Sequence, residues 1–478
     1  MLALQIRRLV KQSAIYGFGG IISRIIAVFL LPLYTTYLGT KGFGEIETIV
    51  ALSAVLVVVL RMGISSAFFR FYFDSTDEAR RTLIVRTSFW FTMGMATLGL
   101  VVGLIFATPI AHVLRFGDDP WLVRAGFVGL WAQMNYQQLT ALFRVEERPT
   151  AFVAATIANV LITVGTTILL VVDLHKGATG AVVGNFIGTL VVYFVLLAYR
   201  RYQLGLEFSR PLLRAMNKFG MPLVPAALAL WAINFIDRFF VAVFKGQGEV
   251  GVYSLAVRIA SVIVFVMAAF QLAWPAFAYS IEDEGMAKRT YAFVLTYLML
   301  LCSWGSLVLG LLSPWIVHIL APNKPAFWRA SEAVGILAFS GTAYAGYTVL
   351  AIGIGRARRT QFNWIVTGAA ALLNVALNFA LIPPYGMMGA AISTLAAYIA
   401  MFVGMSLNAQ RVWPVPYQWR RVLTLSLAAA ALLVIGKAVS APLPLAIALC
   451  LAYPVVLLPL RFYLPAELRR LRVRRMAT

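Results

Sequence analysis

The chain is dominated by apolar segments of about 20 residues, the length that a helix needs to cross the hydrocarbon core of a bilayer. These segments recur from residue 13 to residue 460, and only short connections separate them. Charged residues make up 12% of the sequence, about half of what a soluble domain carries on its surface. The sequence therefore predicts an all-α polytopic membrane protein, and it excludes one or two soluble domains.

Fourteen apolar segments satisfy the length criterion. The charges between them predict the side of the membrane on which the two termini lie. The approximate bounds are 13–38, 45–69, 83–106, 122–143, 151–172, 178–199, 219–244, 250–274, 290–312, 333–354, 362–381, 389–407, 422–439 and 442–460. Of the 40 Lys and Arg residues, 28 fall in the N-terminus, the even-numbered loops and the C-terminal tail, against 8 in the opposite loops. Because basic loops mark the cytoplasmic side, we predict a multi-pass protein with both termini in the cytoplasm. The net charge of +22 is then explained by the orientation of the protein in the lipid bilayer, and no nucleic-acid partner is expected.

An internal repeat relates the two halves of the chain. Gly39 to Gly44 and Gly246 to Gly251 both connect an odd-numbered segment to the next one, at an offset of 207 residues. Six segments per repeat is an even number, so the two units share one orientation, as in parallel-repeat transporters. The predicted domains are an N-terminal lobe (1–210), a C-terminal lobe (211–408), and a third part with the last two segments and a basic tail (409–478). Two such lobes around a central cavity suit alternating access.

Away from the edges of the predicted membrane segments lie five ionisable residues, where each costs several kcal/mol and marks a candidate functional site. They are Arg24, Arg61, Asp237, Arg238 and Arg258. The excess is positive, and guanidinium groups bind phosphate bidentately. A phosphate or pyrophosphate head group is therefore the predicted ligand, with all four arginines as the candidate substrate-binding residues.

The depth of these residues divides them into two pairs. Arg24 and Arg61 lie level in the inner half of the membrane without an acid at their depth, so water or an anion is expected there. Snorkelling of Arg61 to the interface is the alternative. Asp237 and Arg258 lie level in the outer half, either as a structural ion pair or as a functional site.

A candidate coupling site consists of oxygen-bearing side chains on the later segments. Asn374 and Asn378 share one helix face, and Thr394 lies at a similar depth. Together with Asp237 they could hold Na⁺, or Asp237 alone could carry H⁺, while ordinary interhelical hydrogen bonding is the alternative. No resident cofactor or metal is expected.

Several motifs around the second repeat carry a family resemblance. They are Phe219-Gly220-Met221-Pro222-Leu223-Val224-Pro225, Trp231, Asp237-Arg238, Gly251-Val252-Tyr253-Ser254-Leu255-Ala256, Phe270-Gln271-Leu272-Ala273-Trp274-Pro275 and Arg144-Val145-Glu146-Glu147-Arg148-Pro149. With them the chain resembles the bacterial polysaccharide-unit (O-antigen-type) flippases of the multidrug/oligosaccharidyl-lipid/polysaccharide exporter superfamily. The likeness covers about residues 10–410.

The resemblance implies export of an undecaprenyl-pyrophosphate-linked glycan from the inner to the outer leaflet of the bacterial plasma membrane. It also implies a cationic central cavity, no enzymatic activity, and Na⁺ in the second lobe of some relatives. A polysaccharide polymerase or chain-length protein is the candidate protein partner. The related lipid II flippases use their last two helices as a groove for the lipid tail.

Three rival functions follow the flippase prediction. A lipid II flippase for peptidoglycan is the nearest, and a cation-coupled drug antiporter of the same superfamily comes next. The antiporter would favour acids in the cavity, yet the first lobe offers only Glu45 and Glu47 at a helix entrance. A membrane-embedded polymerase or glycosyltransferase needs positioned carboxylates or a catalytic outer loop, and the outer loops are short.

Overall fold

A computed structural model describes residues 30–116, 120–356 and 362–465. All secondary structure in these ranges is helical, as expected where lipid supplies no hydrogen-bond partners for the backbone. Eleven helices within the described ranges are long and apolar enough to cross a membrane. The prediction of an all-α membrane protein is confirmed, and the count of fourteen stays a prediction.

The first compact unit extends from Met1 to Gly251. Its helices are α1 (Leu31–Arg61), α2 (Ile64–Asp74), α3 (Glu78–Ile105), α4 (Ala107–Val113), α5 (Pro120–Val145), α6 (Pro149–Ile168), α7 (Gly177–Arg200), α8 (Arg210–Gly220), α9 (Val224–Lys245) and the first residues of α10 (Gln247–Ala260). Because α8 packs on α2 and α9 packs on α1, this unit extends past residue 210.

The second compact unit extends from Val252 to Thr478. It contains the rest of α10 and then α11 (Val262–Ser280), α12 (Glu284–Leu320), α13 (Ala330–Arg356), α14 (Asn363–Tyr385), α15 (Met387–Val412), α16 (Trp419–Ala438) and α17 (Leu443–Val456). The lobes expected from the repeat, 1–210 and 211–408, and the third part, 409–478, stay a prediction.

The two predicted glycine turns have the same backbone conformation. Gly39 has φ 65° and ψ −173°, and Gly246 has φ 87° and ψ 172°. Glycine adopts this combination readily because it has no Cβ, and α1 resumes its helical path directly afterwards. The first glycine turn (39–44) and the second glycine turn (246–251) are therefore equivalent in structure as well as in sequence.

The single helix predicted over 45–69 is corrected by the structure. The helix α1 ends at Arg61, the next two residues have left-handed φ angles of 48° and 74°, and α2 begins at Ile64. A Cβ on Gly63 would lie 2.2 Å from the carbonyl oxygen of Gly220, so the chain turns where two backbones meet. This close approach could not be seen in the hydropathy of either segment.

Small residues set the spacing of helices inside each unit. In the first unit a Cβ on Gly188 of α7 would lie 2.4 Å from the Asn159 carbonyl oxygen of α6. In the second unit a Cβ on Gly389 of α15 would lie 2.2 Å from the Leu381 carbonyl oxygen of α14. Close backbone contact through glycine is the usual packing device of membrane helices.

Candidate functional site

The helix seam is the line along which α9 lies beside α1, from the end of α8 to the start of α10. At one end Gly63 meets the backbone of Gly220. In the middle the indole N–H of Trp231 donates to the carbonyl oxygen of Ala51 at 3.1 Å. At the other end the two glycine turns meet, so α9 is held against α1 over its whole length.

The contact between the glycine turns is reciprocal. A Cβ on Gly44 would lie 1.9 Å from the carbonyl oxygen of Gln247, and a Cβ on Gly251 would lie 2.0 Å from the carbonyl oxygen of Thr40. Real Cβ atoms essentially never approach a heavy atom within 3.0 Å. Each turn therefore needs a glycine at its sixth position to admit the backbone of the other turn.

A buried hydrogen-bond chain accompanies this contact. The hydroxyl of Thr48 donates to Oε1 of Gln247 at 2.9 Å, and the amide Nε2 of Gln247 donates to the carbonyl oxygen of Leu114 at 2.6 Å. Thr48 is 0% and Gln247 4% exposed. Since a buried amide is costly without partners, this chain stabilises the closed arrangement of the turns.

A buried charge cluster lies near the same end of the seam. The guanidinium of Arg238 has Asp237 Oδ1 at 3.2 Å from Nη1 and Glu47 Oε2 at 3.7 Å from Nε. Nη1 also donates to the carbonyl oxygen of Asn234 at 2.7 Å. None of the three charged residues is more than 4% exposed. One carboxylate comes from α1 and one from α9, so the arginine ties the two helices together.

Glu47 is a site residue that the sequence analysis missed. We placed it with Glu45 at a helix entrance, but residues two apart on a helix face different directions. Glu45 lies 3.9 Å from Lys41, whereas Glu47 turns inward to Arg238. The spacing of Glu45 and Glu47, two residues apart on one helix, could have indicated that only one of them faces solvent.

Arg61 is the last residue of α1 and points into the first unit. Its Nη2 donates to the carbonyl oxygen of Met134 at 3.0 Å, and its Nη1 lies 3.3 Å from the hydroxyl of Ser65. Its Nε is buried, and no hydrogen-bond partner for it lies in the part of the chain that the structure describes. Among the described residues no ion pair joins this guanidinium to a carboxylate, and its hydrogen-bond partners there are neutral groups.

The remaining predicted residues fall in different parts of the chain. Arg24 lies outside the described residues. Arg258 is half-buried in the last turn of α10, within the second unit, so its pairing with Asp237 stays a prediction. In that unit Nδ2 of Asn378 donates to Oδ1 of Asn374 at 3.0 Å, and both side chains are fully buried.

Two polar atoms of the asparagine pair have no hydrogen-bond partner within residues 30–116, 120–356 and 362–465. They are Nδ2 of Asn374 and Oδ1 of Asn378. Thr394 on the neighbouring α15 is 6% exposed, and the hydroxyl of Ser393 donates to Gly389 in its own helix. Three of the four residues of the candidate coupling site thus lie buried on two packed helices of the second unit.

Two family models match the chain. One, described as polysaccharide biosynthesis protein, matches residues 9–280, and the other, described as MatE, matches residues 222–380. An uncharacterized membrane protein of Haemophilus influenzae is 24% identical over 274 residues, covering 54% of this chain and 63% of its own length. One of Methanocaldococcus jannaschii is 27% identical over 206 residues, 41% of this chain and 39% of its own length. The matched part therefore spans less than two thirds of either relative.

Solved structures share the fold. The lipid II flippase MurJ in an inward closed conformation has a TM-score of 0.73 at 13% identity, covering 93% of this chain and 99% of its own. An inward-facing multidrug resistance MATE transporter has a TM-score of 0.64 at 16% identity, with coverages of 84% and 94%. A MOP superfamily transporter from Pyrococcus furiosus has a TM-score of 0.56 at 14% identity, covering 85% of this chain and 96% of its own. At these identities the likeness concerns the fold alone.

The fold defines a helical membrane protein with the architecture of a solved lipid II flippase and a solved multidrug resistance transporter. Within that class the chain belongs to the polysaccharide biosynthesis protein family, whose model matches residues 9–280 of the 478. Of the solved structures that share the fold, one is named a lipid II flippase and another a multidrug resistance transporter.

Proposed function

We propose that this protein moves an undecaprenyl-pyrophosphate-linked oligosaccharide from the inner to the outer leaflet of the bacterial plasma membrane, for the assembly of a surface polysaccharide. Membership of the polysaccharide biosynthesis family supports this substrate class. Fold similarity to a lipid II flippase over 93% of the chain supports a lipid-linked cargo. Both termini lie in the cytoplasm in this proposal, and a polysaccharide polymerase or chain-length protein would receive the product.

The single observation that carries the proposal is the state of Arg61. A guanidinium in a membrane protein needs an anion or water around it, and among the described residues the hydrogen-bond partners of Arg61 are one hydroxyl and one backbone carbonyl. Its unpartnered Nε leaves a donor for a phosphate oxygen. Arg24 and Arg258 complete the cationic path in this proposal. Arg238, engaged by two carboxylates, would reach substrate only when the seam opens.

Alternating access in this proposal opens and closes the helix seam. The glycine turns meet on the side that we predict to be external, and their parting would release the saccharide outward. Separation of Gly44 from Gln247 would also break the buried bond from Thr48 to that residue. A few kcal/mol of packing and hydrogen bonding therefore separate the closed state from the open one.

Coupling to Na⁺ or H⁺ is proposed at Asp237, Asn374, Asn378 and Thr394. The buried, unpartnered Oδ1 of Asn378 supports a cation ligand, because oxygen atoms of amides and carboxylates bind hard cations. The test measures transport by Asp237→Asn in vesicles under an imposed Na⁺ or pH gradient. Transport that depends on neither gradient, and is unaffected by the substitution, would eliminate the coupling site.

The test of the substrate role compares Arg61→Gln with Arg61→Lys in reconstituted vesicles. The readout is the fraction of lipid-linked saccharide that a membrane-impermeant, saccharide-modifying enzyme reaches from outside. Loss of one charge-assisted hydrogen bond, about 1.5–3 kcal/mol, lowers the transport rate of Arg61→Gln about 10- to 150-fold. Arg61→Lys retains part of the rate because it keeps the charge and loses the planar fork.

Arg70→Gln is the matched control for Arg61→Gln, since Arg70 lies on α2 and pairs with Asp74 at the exposed surface. It should transport like the wild type. Normal transport by Arg61→Gln would overturn the role assigned to Arg61.

A lipid II flippase is the second candidate, favoured by the higher TM-score of MurJ, 0.73 against 0.64 for the MATE transporter. Competition between lipid II and a lipid-linked surface glycan in the same vesicle assay separates the two. Stronger transport of lipid II than of the glycan would decide for the second candidate. A drug antiporter predicts instead that neither lipid is moved.

A further inference from the structure

A cavity of about 710 Å³ opens in the first unit, apart from the helix seam. Its walls come from the end of α2, the start of α3, the end of α5 with the loop that follows it, and the linker after α7. All of these belong to the side that the basic residues predict to be cytoplasmic. The residues that matter here are Tyr72, Glu78, Arg81, Glu146, Arg148 and Tyr202. The volume falls within the range of small-molecule sites.

The charges around this cavity are largely balanced. Arg86 pairs with Glu207 at 2.7 Å. Arg200, which is 2% exposed, donates to Glu146 at 2.8 Å. Arg148 has the same carboxylate at 3.7 Å. A site for a multivalent anion would present uncompensated guanidinium groups, so this lining does not favour a phosphate ligand.

The walls offer hydrogen-bond donors and acceptors side by side. Arg81 uses its Nε for the carbonyl oxygens of Ser75 and Tyr72, at 2.7 and 3.3 Å, which leaves its Nη groups as donors. Glu78 and Glu146 supply acceptors. Partial burial raises the pKa of the Tyr72 phenol, so this hydroxyl stays protonated and can both donate and accept. Sugar hydroxyls also do both, and they match such a lining.

Two tyrosine rings border the cavity, and each has an arginine guanidinium over one face, Arg81 at Tyr72 and Arg201 at Tyr202. The guanidinium of Arg81 lies over the ring of Tyr72, 5.1 Å from its centroid. Tyr202 is 81% exposed, and its hydroxyl accepts from Arg201 at 2.7 Å. An aromatic body with a polar tip suits a ligand that has apolar faces and hydroxyl edges.

The linker wall of the cavity is held in place by bonds to α3. Arg86 Nε donates to the carbonyl oxygen of Gln203 at 3.1 Å, and the indole of Trp90 donates to that of Gly205 at 2.8 Å. The amide of Ser209 donates to the hydroxyl of Thr87 at 3.2 Å. A wall fixed in this way lowers the entropy cost of binding.

We propose that this cavity binds a saccharide, one sugar unit of the lipid-linked glycan, on the cytoplasmic side of the first unit. The inference rests on the proposed function and deepens it, because it separates recognition of the sugar from recognition of the pyrophosphate at Arg61. The sugar would dock outside the transport path before translocation. Selectivity among glycans would then depend on residues of α3 and the linker.

The test is saturation-transfer NMR on the full chain in nanodiscs, with free N-acetylglucosamine, galactose, mannose and glucuronic acid as probes. At least one probe should receive saturation from the wild type. Tyr202→Ala and Arg148→Gln should each weaken its binding about tenfold, the equivalent of one good hydrogen bond or ring contact. Tyr199→Ala and Arg80→Gln are the matched controls, since neither residue lines the cavity, and both should bind like the wild type.

Three results would overturn the inference: no transfer to any probe, equal binding by the cavity variants and the wild type, or displacement of the sugar by inorganic pyrophosphate. Arg61→Gln should keep its saccharide binding. A cavity that fails this test while Arg61→Gln loses transport would refute the sugar site alone. Saccharide binding together with normal transport by Arg61→Gln would refute the role of Arg61 alone.

Discussion

Gly44→Ala should force the glycine turns apart. The added β carbon would lie 1.9 Å from the Gln247 carbonyl oxygen and 2.8 Å from the amide nitrogen of Gly251. Both neighbours are backbone atoms, so no side-chain rotation can make room. To reach even 3.0 Å, the tightest ordinary contact, the turns must separate by about 1.1 Å.

The cost of this separation follows from its two components. Overpacking of a tight contact costs about 1–3 kcal/mol. Loss of the buried bond from Thr48 to Gln247 adds about 1 kcal/mol. Together, about 2–4 kcal/mol shifts the equilibrium toward parted turns by at least about thirtyfold. Transport should fall because a carrier that stays open on one side completes its cycle slowly.

Labelling of a cysteine by a membrane-impermeant maleimide measures the opening. Val250 in the second glycine turn is 0% exposed, and Val250→Cys is a suitable reporter once the two native cysteines, Cys302 and Cys450, are replaced by alanine. Gly94→Ala is the matched control, because no atom outside its own helix lies within 4 Å of the added β carbon. Gly44→Ala should raise the labelling rate by the same factor as it raises the population of parted turns. Equal rates in Gly44→Ala and Gly94→Ala would refute the steric argument.

Two further predictions concern buried ion pairs, and thermal unfolding of the purified protein in detergent checks both. Glu47→Gln removes one of the two carboxylates around Arg238, so we expect a loss of about 1–3 kcal/mol in the free energy of unfolding. An unchanged melting temperature would contradict the buried pairing. Glu146→Gln leaves the charge of Arg200 buried with a neutral partner and should cost about 3–5 kcal/mol, whereas Glu207→Gln at the surface should cost about 0–1 kcal/mol. Equal melting temperatures in these last two variants would contradict the difference in burial.

Local patterns predicted the architecture because hydropathy and glycine act over a few residues. The apolar segments predicted the helices, and the glycine spacing predicted two equivalent turns. Gly39 and Gly246 indeed share one backbone conformation. The resemblance around α9 and α10 predicted the family that the family model matches. Each of these signals is complete within a short stretch of sequence.

Contacts between distant parts of the chain could not be predicted in the same way. The end of α1 at Arg61 depends on Gly220, more than 150 residues further along. The inward turn of Glu47 depends on Arg238 in the second repeat. Periodicity indicates which face of a helix is buried, but it does not identify the helix that covers that face. The sequence therefore indicated candidate residues for substrate binding and coupling, but not their distances or contacts.

The helix seam also has a consequence for how the protein is made. The first repeat ends in sequence near residue 210, yet its first described helix is completed by α9, whose residues cover Ala51 and neutralise Glu47. Helices inserted earlier must therefore wait in the membrane, with a carboxylate and a packing face not yet covered, until the chain up to Gly251 has been synthesised.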